Sequence, residues 1–137
     1  MKVCIIYDSK YGNGKKCIDY ISELIGKKHK VEIFSADEVK PQNIEADLYI
    51  FSSPTHIGSP TRKIKKILKK ISKENAKYAL MTTCIDEKTK SIEKMEKILS
   101  KKGMKKVADV KIKVNGIKGP LESNYKEKIE EFLKKIL

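Results

Sequence analysis

Ser9, Lys10, Tyr11, Gly12, Asn13 and Gly14 follow the apolar run Val3 to Tyr7 after one residue, Asp8, and their types and spacing suit the chemistry of an anion. A buried strand that stops in a short polar loop and then opens a helix makes a phosphate site. Hydroxyls of Ser9 and Tyr11 can donate to phosphate oxygens. Two glycines let backbone N–H groups close around the anion, and the positive end of the next helix faces it. The stretch is neither a Walker loop nor a dinucleotide fingerprint, because no glycine-lysine-threonine element or GxGxxG spacing follows. A Gly-Asn-Gly turn that starts a helix is also, more often, only a turn. A second polar segment, Phe51-Ser52-Ser53-Pro54-Thr55-His56-Ile57-Gly58-Ser59-Pro60, likewise follows an apolar strand and precedes a helix. Its plain reading is a helix-entry loop framed by Pro54 and Pro60, with Ser59 or Thr61 as cap.

The elements that must hold these segments alternate along the chain. Val3–Tyr7, Val31–Phe34, Leu48–Phe51 and Tyr78–Met81 read as strands, and Val107, Val110, Ile112 and Val114 mark a fifth that alternates as an edge strand does. Between them, Cys17, Ile18, Ile21, Leu24 and Ile25 recur at a helical period, with Gly26 as the stop. Ile64, Ile67, Leu68 and Ile71 mark a second helix. Ile92, Met95, Ile98 and Leu99, ended by Gly103, mark a third, and Tyr125, Ile129, Phe132, Leu133 and Ile136 the last. Ser35–Ala46 contains Pro41 and has weak periodicity, so its crossover helix should be short. Five strands alternating with helices predict an α/β three-layer sandwich, a parallel sheet covered on both faces with right-handed crossovers. The length of 137 residues fits a single domain spanning 1–137.

Together the two polar segments resemble those of the flavodoxin family. That family's S/T-x-T-G-N-T loop holds the phosphate of flavin mononucleotide (FMN), and a second Ser-Pro-Thr loop lies along the isoalloxazine ring. A third agreement is Gly116-Ile117-Lys118-Gly119-Pro120-Leu121, which looks like the Gly-x-x-Gly-Pro-Leu before the last helix of many relatives. The resemblance implies a flavodoxin-like fold with strand order 2-1-3-4-5 and FMN where strands one and three diverge. It implies a phosphate loop at Ser9–Gly14 and ring contacts from Ser53, Pro54, Thr55, His56, Ile57 and Gly58. Thr83, Cys84 and Asp86, after strand four, would close the third side. In flavodoxins a carbonyl of the second loop turns to accept a hydrogen bond from the protonated flavin N5, and Gly58 would tolerate such a turn. Two departures stand out. Gly14 replaces the family's threonine hydroxyl, and Thr82–Asp86 carries no aromatic residue for stacking.

The activity so implied is electron transfer between redox partner proteins, with an electron carrier favoured over a stand-alone enzyme. The alternatives are an FMN-dependent NAD(P)H or quinone reductase and a flavodoxin-fold binding module without cofactor. A formal net charge of +13 rests on lysine, since Arg62 is the single arginine, and there is no tryptophan. Nucleic-acid recognition, which leans on arginine forks and aromatic stacking, is therefore not favoured. Lysines alternating with glutamates usually make a solvated surface. Arg62, Lys65, Lys66, Lys69 and Lys73 either steer an acidic redox partner or belong to that surface. Cys4, Cys17 and Cys84 form no CxxC pair, and with His29 and His56 they have no metal-ligand spacing. No apolar run reaches membrane-spanning length, and the opening residues leave no room for a signal peptide. These features predict a cytoplasmic protein, monomer or homodimer, with no membrane and no metal.

Overall fold

Leu48 and Ile50 face one side of the sheet while Tyr49 and Phe51 face the other, and all four are buried. Val3 and Ile5 against Cys4 and Ile6, and Ala79 and Met81 against Tyr78 and Leu80, repeat the pattern. Side chains alternate across a strand, so a continuous apolar run has to be covered on both faces. The computed structural model describes residues 1–40 and 43–137 and meets that demand with two cores. One lies under the helices α1 (Asn13–Ile25) and α4 (Tyr125–Ile136); the other lies under α2 (Arg62–Lys70) and α3 (Ser91–Ser100).

The strands are β1 (Lys2–Tyr7), β2 (Lys30–Ser35), β3 (Leu48–His56), β4 (Ser59–Pro60), β5 (Lys77–Cys84) and β6 (Lys105–Lys113). The sheet runs β2-β1-β3-β5-β6, all parallel, and β4 pairs antiparallel with the tip of β3. With two-residue β4 set aside, this is the expected order 2-1-3-4-5. Val114 falls just beyond β6, where it bridges Leu121.

Three sequence expectations change. Strand three does not stop at Phe51 but runs five residues further, through Ser52, Ser53, Pro54 and Thr55 to His56. Pairing of Ser53 with Thr82 and Pro54 with Thr83 overrides the loop-like composition. Strand four likewise runs on through Thr82, Thr83 and Cys84. The second helix ends at Lys70, so Lys73 lies beyond it, half-buried and ion-paired to Glu45 at 2.5 Å. Gly26 does cap α1, though at a right-handed φ of −61° and not the left-handed form. Of Ser35–Ala46, where the sequence predicts a short crossover helix, residues 41 and 42 lie outside the described residues, and the described remainder holds a turn at 36–38 and no α-helix.

Candidate functional site

At the carboxyl end of the sheet the chain leaves β1 with one more ladder bond, from Asp8 N–H to Ser52 O at 3.0 Å. It then crosses Ser9 to Gly12 and enters α1 at Asn13. Gly12 is the cap, at φ +87°, and supplies no side-chain bond; the first turn holds no acidic residue. Of the first-turn amides, Lys15 donates to Ser9 Oγ at 3.3 Å, while those of Asn13 and Gly14 have no intrahelical acceptor. An uncapped helix start with no acidic residue in its first turn carries partial positive charge and free donors toward an anion.

The tip of β3 forms the second wall. Ile57 and Gly58 link β3 to β4 at φ +51° and +71°, the positive pair that a two-residue type I′ turn requires. Gly58 adopts this freely, whereas a β-branched isoleucine does so at a cost. The tip is tied to its neighbours by hydroxyls. Thr55 Oγ1 lies 2.7 Å from Thr82 Oγ1 and donates to the buried Ser91 Oγ at 2.8 Å. Lys94 of α3 donates to Gly58 O at 3.0 Å. Ser53 turns inward, donating to Pro54 O and accepting the Thr61 N–H at 3.0 Å. Thr61 in turn caps α2, accepting the N–H of Ile64.

Thr83, Cys84 and Ile85 make the third wall, joined by Val114 and Ile117 from the connection between β6 and α4. That connection is held to β5 by Val114 N–H to Cys84 O at 2.8 Å and folds back on itself through Asn115 N–H to Pro120 O. Its Gly119, at φ +101°, presses on Asn13: a Cβ there would stand 2.7 Å from Asn13 Oδ1.

The result is one crevice of about 480 Å³, a size ordinary for small ligands. It is lined by Ser9, Lys10, Tyr11, Asn13, Gly14, Pro54, Thr55, His56, Ile57, Thr83 and Cys84, all candidates from the sequence. Gly12, Ser53, Gly58 and Asp86 are not part of the lining. Asp86 closes its own turn instead, accepting the Lys88 N–H at 2.9 Å. Ile85, between the candidates Cys84 and Asp86 on the third side, joins the lining together with Val114 and Ile117. The Gly116–Leu121 motif marked the last two, because a connection leaving β6 emerges at this same end.

Lys10 is the only charged residue in the lining, and its ammonium lies 5.4 Å from the centroid of Tyr11. Burial pushes the Cys84 thiol above its usual range, with Glu87 adding to the effect. A protonated, buried thiol is a poor nucleophile. Among the described residues no group of three or more His, Cys, Asp or Glu is placed to hold a metal. The crevice thus suits an anionic ligand with an apolar body, bound rather than attacked.

The comparisons agree on the fold. A family model described as a flavodoxin domain matches residues 4–119. A flavodoxin of Streptococcus pneumoniae TIGR4 is similar at 16% identity and a TM-score of 0.81, over 99% of this chain and 97% of that one. A flavodoxin of Fusobacterium nucleatum, solved bound to flavin mononucleotide, matches at 15% identity and 0.77, over 98% and 96%. Rubredoxin oxygen:oxidoreductase of Desulfovibrio gigas matches at 20% identity and 0.75, over 98% of this chain but 37% of its own length. Comparison with curated protein sequences gave no match.

Proposed function

Because the chain belongs to the flavodoxin domain family, we propose that it holds FMN in this crevice and transfers electrons between redox partner proteins. The observation that carries the proposal is the carboxylate-free crevice against the uncapped start of α1. Bound flavin would supply one- and two-electron chemistry. The protein's part is to hold and orient it. The amides of Asn13 and Gly14, with Ser9, would take the phosphate. Tyr11, Pro54, Thr55, His56 and Ile57 would offer the more apolar surface for the ring system, and Thr83 and Cys84 would close the crevice. Gly12 and Gly58 shape the loops from outside the lining. We place the molecule in the cytoplasm, where three buried, unpaired cysteines remain thiols. Among the described residues no helix is long and apolar enough to cross a membrane. Reconstitution with FMN, followed by reversible photoreduction and reoxidation by a protein acceptor, tests the assignment. Direct oxidation of NAD(P)H by the reconstituted protein alone would point to a reductase instead.

Gly14 offers a gain-of-function check. A Cβ there would meet Asp8 O at 3.5 Å and Ser9 at 3.6 Å, which is ordinary contact. Gly14→Thr adds a hydroxyl beside the proposed phosphate site, and one hydrogen bond to a charged group contributes roughly 1.5–3 kcal/mol. FMN should bind about 10–100-fold more tightly in a fluorescence titration. An unchanged or weaker affinity would place the phosphate elsewhere.

The lysine-rich surface bears on potential. At an effective dielectric of about 20, one cation about 10 Å from the ring favours the anionic, fully reduced flavin by roughly 1.5 kcal/mol before screening. Lys10→Gln should therefore lower the second one-electron potential by about 60 mV at low salt. The difference should shrink as salt is added. A salt-independent potential, equal in both proteins, would remove Lys10 from the account.

A further inference from the structure

Among the described residues, the helix α2 differs from α1, α3 and α4 in its charge. Its nine residues, Arg62 to Lys70, hold six cations and no acid. The other three helices mix signs: Lys15 pairs with Asp19 in α1, Glu93 and Glu96 stand among the lysines of α3, and Lys134 pairs with Glu131 in α4. Among the described ion pairs, only Lys63 of α2 finds a carboxylate, Asp37 at 2.8 Å. Arg62 with Lys66, Lys65 with Lys69 and Lys66 with Lys70 are i,i+4 neighbours of like sign, a spacing that destabilises a helix. Arg62 and Lys63 also oppose the dipole at its first turn. Lys69 and Lys70, in the last turn, suit the dipole, whereas Arg62, Lys63, Lys65 and Lys66 gain no such benefit and weaken the isolated helix. Beside them, Lys40, Lys63, Lys66 and Lys70 line a notch of about 290 Å³ that holds a single carboxylate, Asp37, the partner of Lys63.

A second exposed feature is an apolar patch at the crevice mouth. Ile57, Ile85 and Ile117 come from three different connections, line the mouth of one crevice, and are 104%, 53% and 70% exposed. Ile57 does so at a positive φ that isoleucine disfavours. Along the chain only Gly58, Ser59, Pro60 and Thr61 separate Ile57 from Arg62, so Ile57 ties the patch to the start of the cationic helix.

We propose that the crevice rim and the outer face of α2 together dock an acidic electron-transfer protein, its carboxylates on α2 and its own apolar centre on the three isoleucines. This rests on the electron-transfer reading above and specifies its partner. Charge complementarity selects the occupant. Nucleic acid fits less well, since α2 has one arginine and no aromatic residue. An anionic membrane fits less well too, because Ile64, Ile67 and Leu68, the apolar residues of α2, are buried in the core.

The test titrates the isotope-labelled protein, with and without FMN, with a zinc-substituted acidic rubredoxin, and separately with the basic protein cytochrome c. The expected result is shifted amide resonances at Ile57, Ile85, Ile117 and along α2 with rubredoxin only. Its affinity should fall at least ten-fold between 20 and 200 mM salt, on the order of screening for several charge pairs. Arg62→Glu/Lys66→Glu/Lys69→Glu should lose rubredoxin and gain cytochrome c. Lys66→Gln/Lys69→Gln, which removes charge without reversing it, should weaken rubredoxin by an intermediate factor and guards against misfolding of the triple variant. Equal response to both probes, shifts away from α2, or salt-independent affinity would overturn the proposal. So would tighter binding of α2 to a DNA duplex or to phosphatidylserine vesicles. Failure of FMN to bind while α2 still maps the acidic probe would sink the flavin reading alone; FMN binding without that map would sink only the docking surface.

Discussion

Replacing Gly119 with alanine is expected to destabilise the protein by about 2–4 kcal/mol and to weaken FMN at least ten-fold. Two causes act together. The backbone sits at φ +101°, which a side chain tolerates poorly, and the new Cβ would stand 2.7 Å from Asn13 Oδ1 and 3.2 Å from its Nδ2. Asn13 is the first residue of α1 and part of the crevice lining, so relief of the clash moves a group where the phosphate is proposed to sit. The two causes separate in a double-mutant cycle. Asn13→Ala removes the clash but not the backbone strain, so the pair should couple by about 1–2 kcal/mol in urea unfolding. Simple additivity of the two substitutions would show that the close approach carries no energy.

Alkaline pH should destabilise the protein steeply above pH 9. Burial pushes the Cys4 and Cys17 thiols from 9.0 to about 12, with Glu32 adding to the first and Lys16 opposing the second. Between those values the native state keeps protons that the unfolded chain releases, so stability falls as pH rises from 9 toward 12. Below pH 9 both states hold the proton and the thiols contribute no slope. Three units correspond to an upper limit of about 4 kcal/mol per thiol at pH 12, or roughly 2 kcal/mol at pH 10.5. Burial raises Tyr49 and Tyr78 as well, which steepens the same trend. Urea midpoints measured with reductant at pH 7.5, 9 and 10.5 should show little change and then a steep fall. Cys17→Ala should lower stability at pH 7.5 through lost packing yet flatten that fall. A constant midpoint up to pH 10.5 would mean that water reaches these thiols.

The apolar runs made the parallel sheet and both cores legible, because a strand buried on two faces favours apolar residues at successive positions; the strand order came from the family resemblance. Ser9 to Gly14 was legible for a different reason: a strand, a polar turn and a helix in direct succession constrain the backbone locally. Ser52 to His56 was not, since its hydroxyls and proline read as loop and only pairing with β5 makes it strand. The same holds for Thr82 and Thr83, buried polar residues whose place depends on β3 and β6. Ile85 and Ile117 sat inside segments that the sequence marked, yet an exposed apolar residue in a connection leaves no periodic trace to single it out. Asp86 looked available until its carboxylate proved to close its own turn. Lys73 fell away from the cationic face because Ile71 caps α2 in an extended conformation.

The central claim is that the start of α1 grips an anionic tail. Its most direct measurement is a paired fluorescence titration of the apoprotein with FMN and with riboflavin, which has the same ring system and no phosphate. The account predicts saturable quenching with FMN, at least 100-fold weaker binding of riboflavin, and loss of the difference when inorganic phosphate competes; a phosphate contact of two or more charge-assisted bonds is on that order. Equal affinity for the two flavins, or none for either, would contradict it.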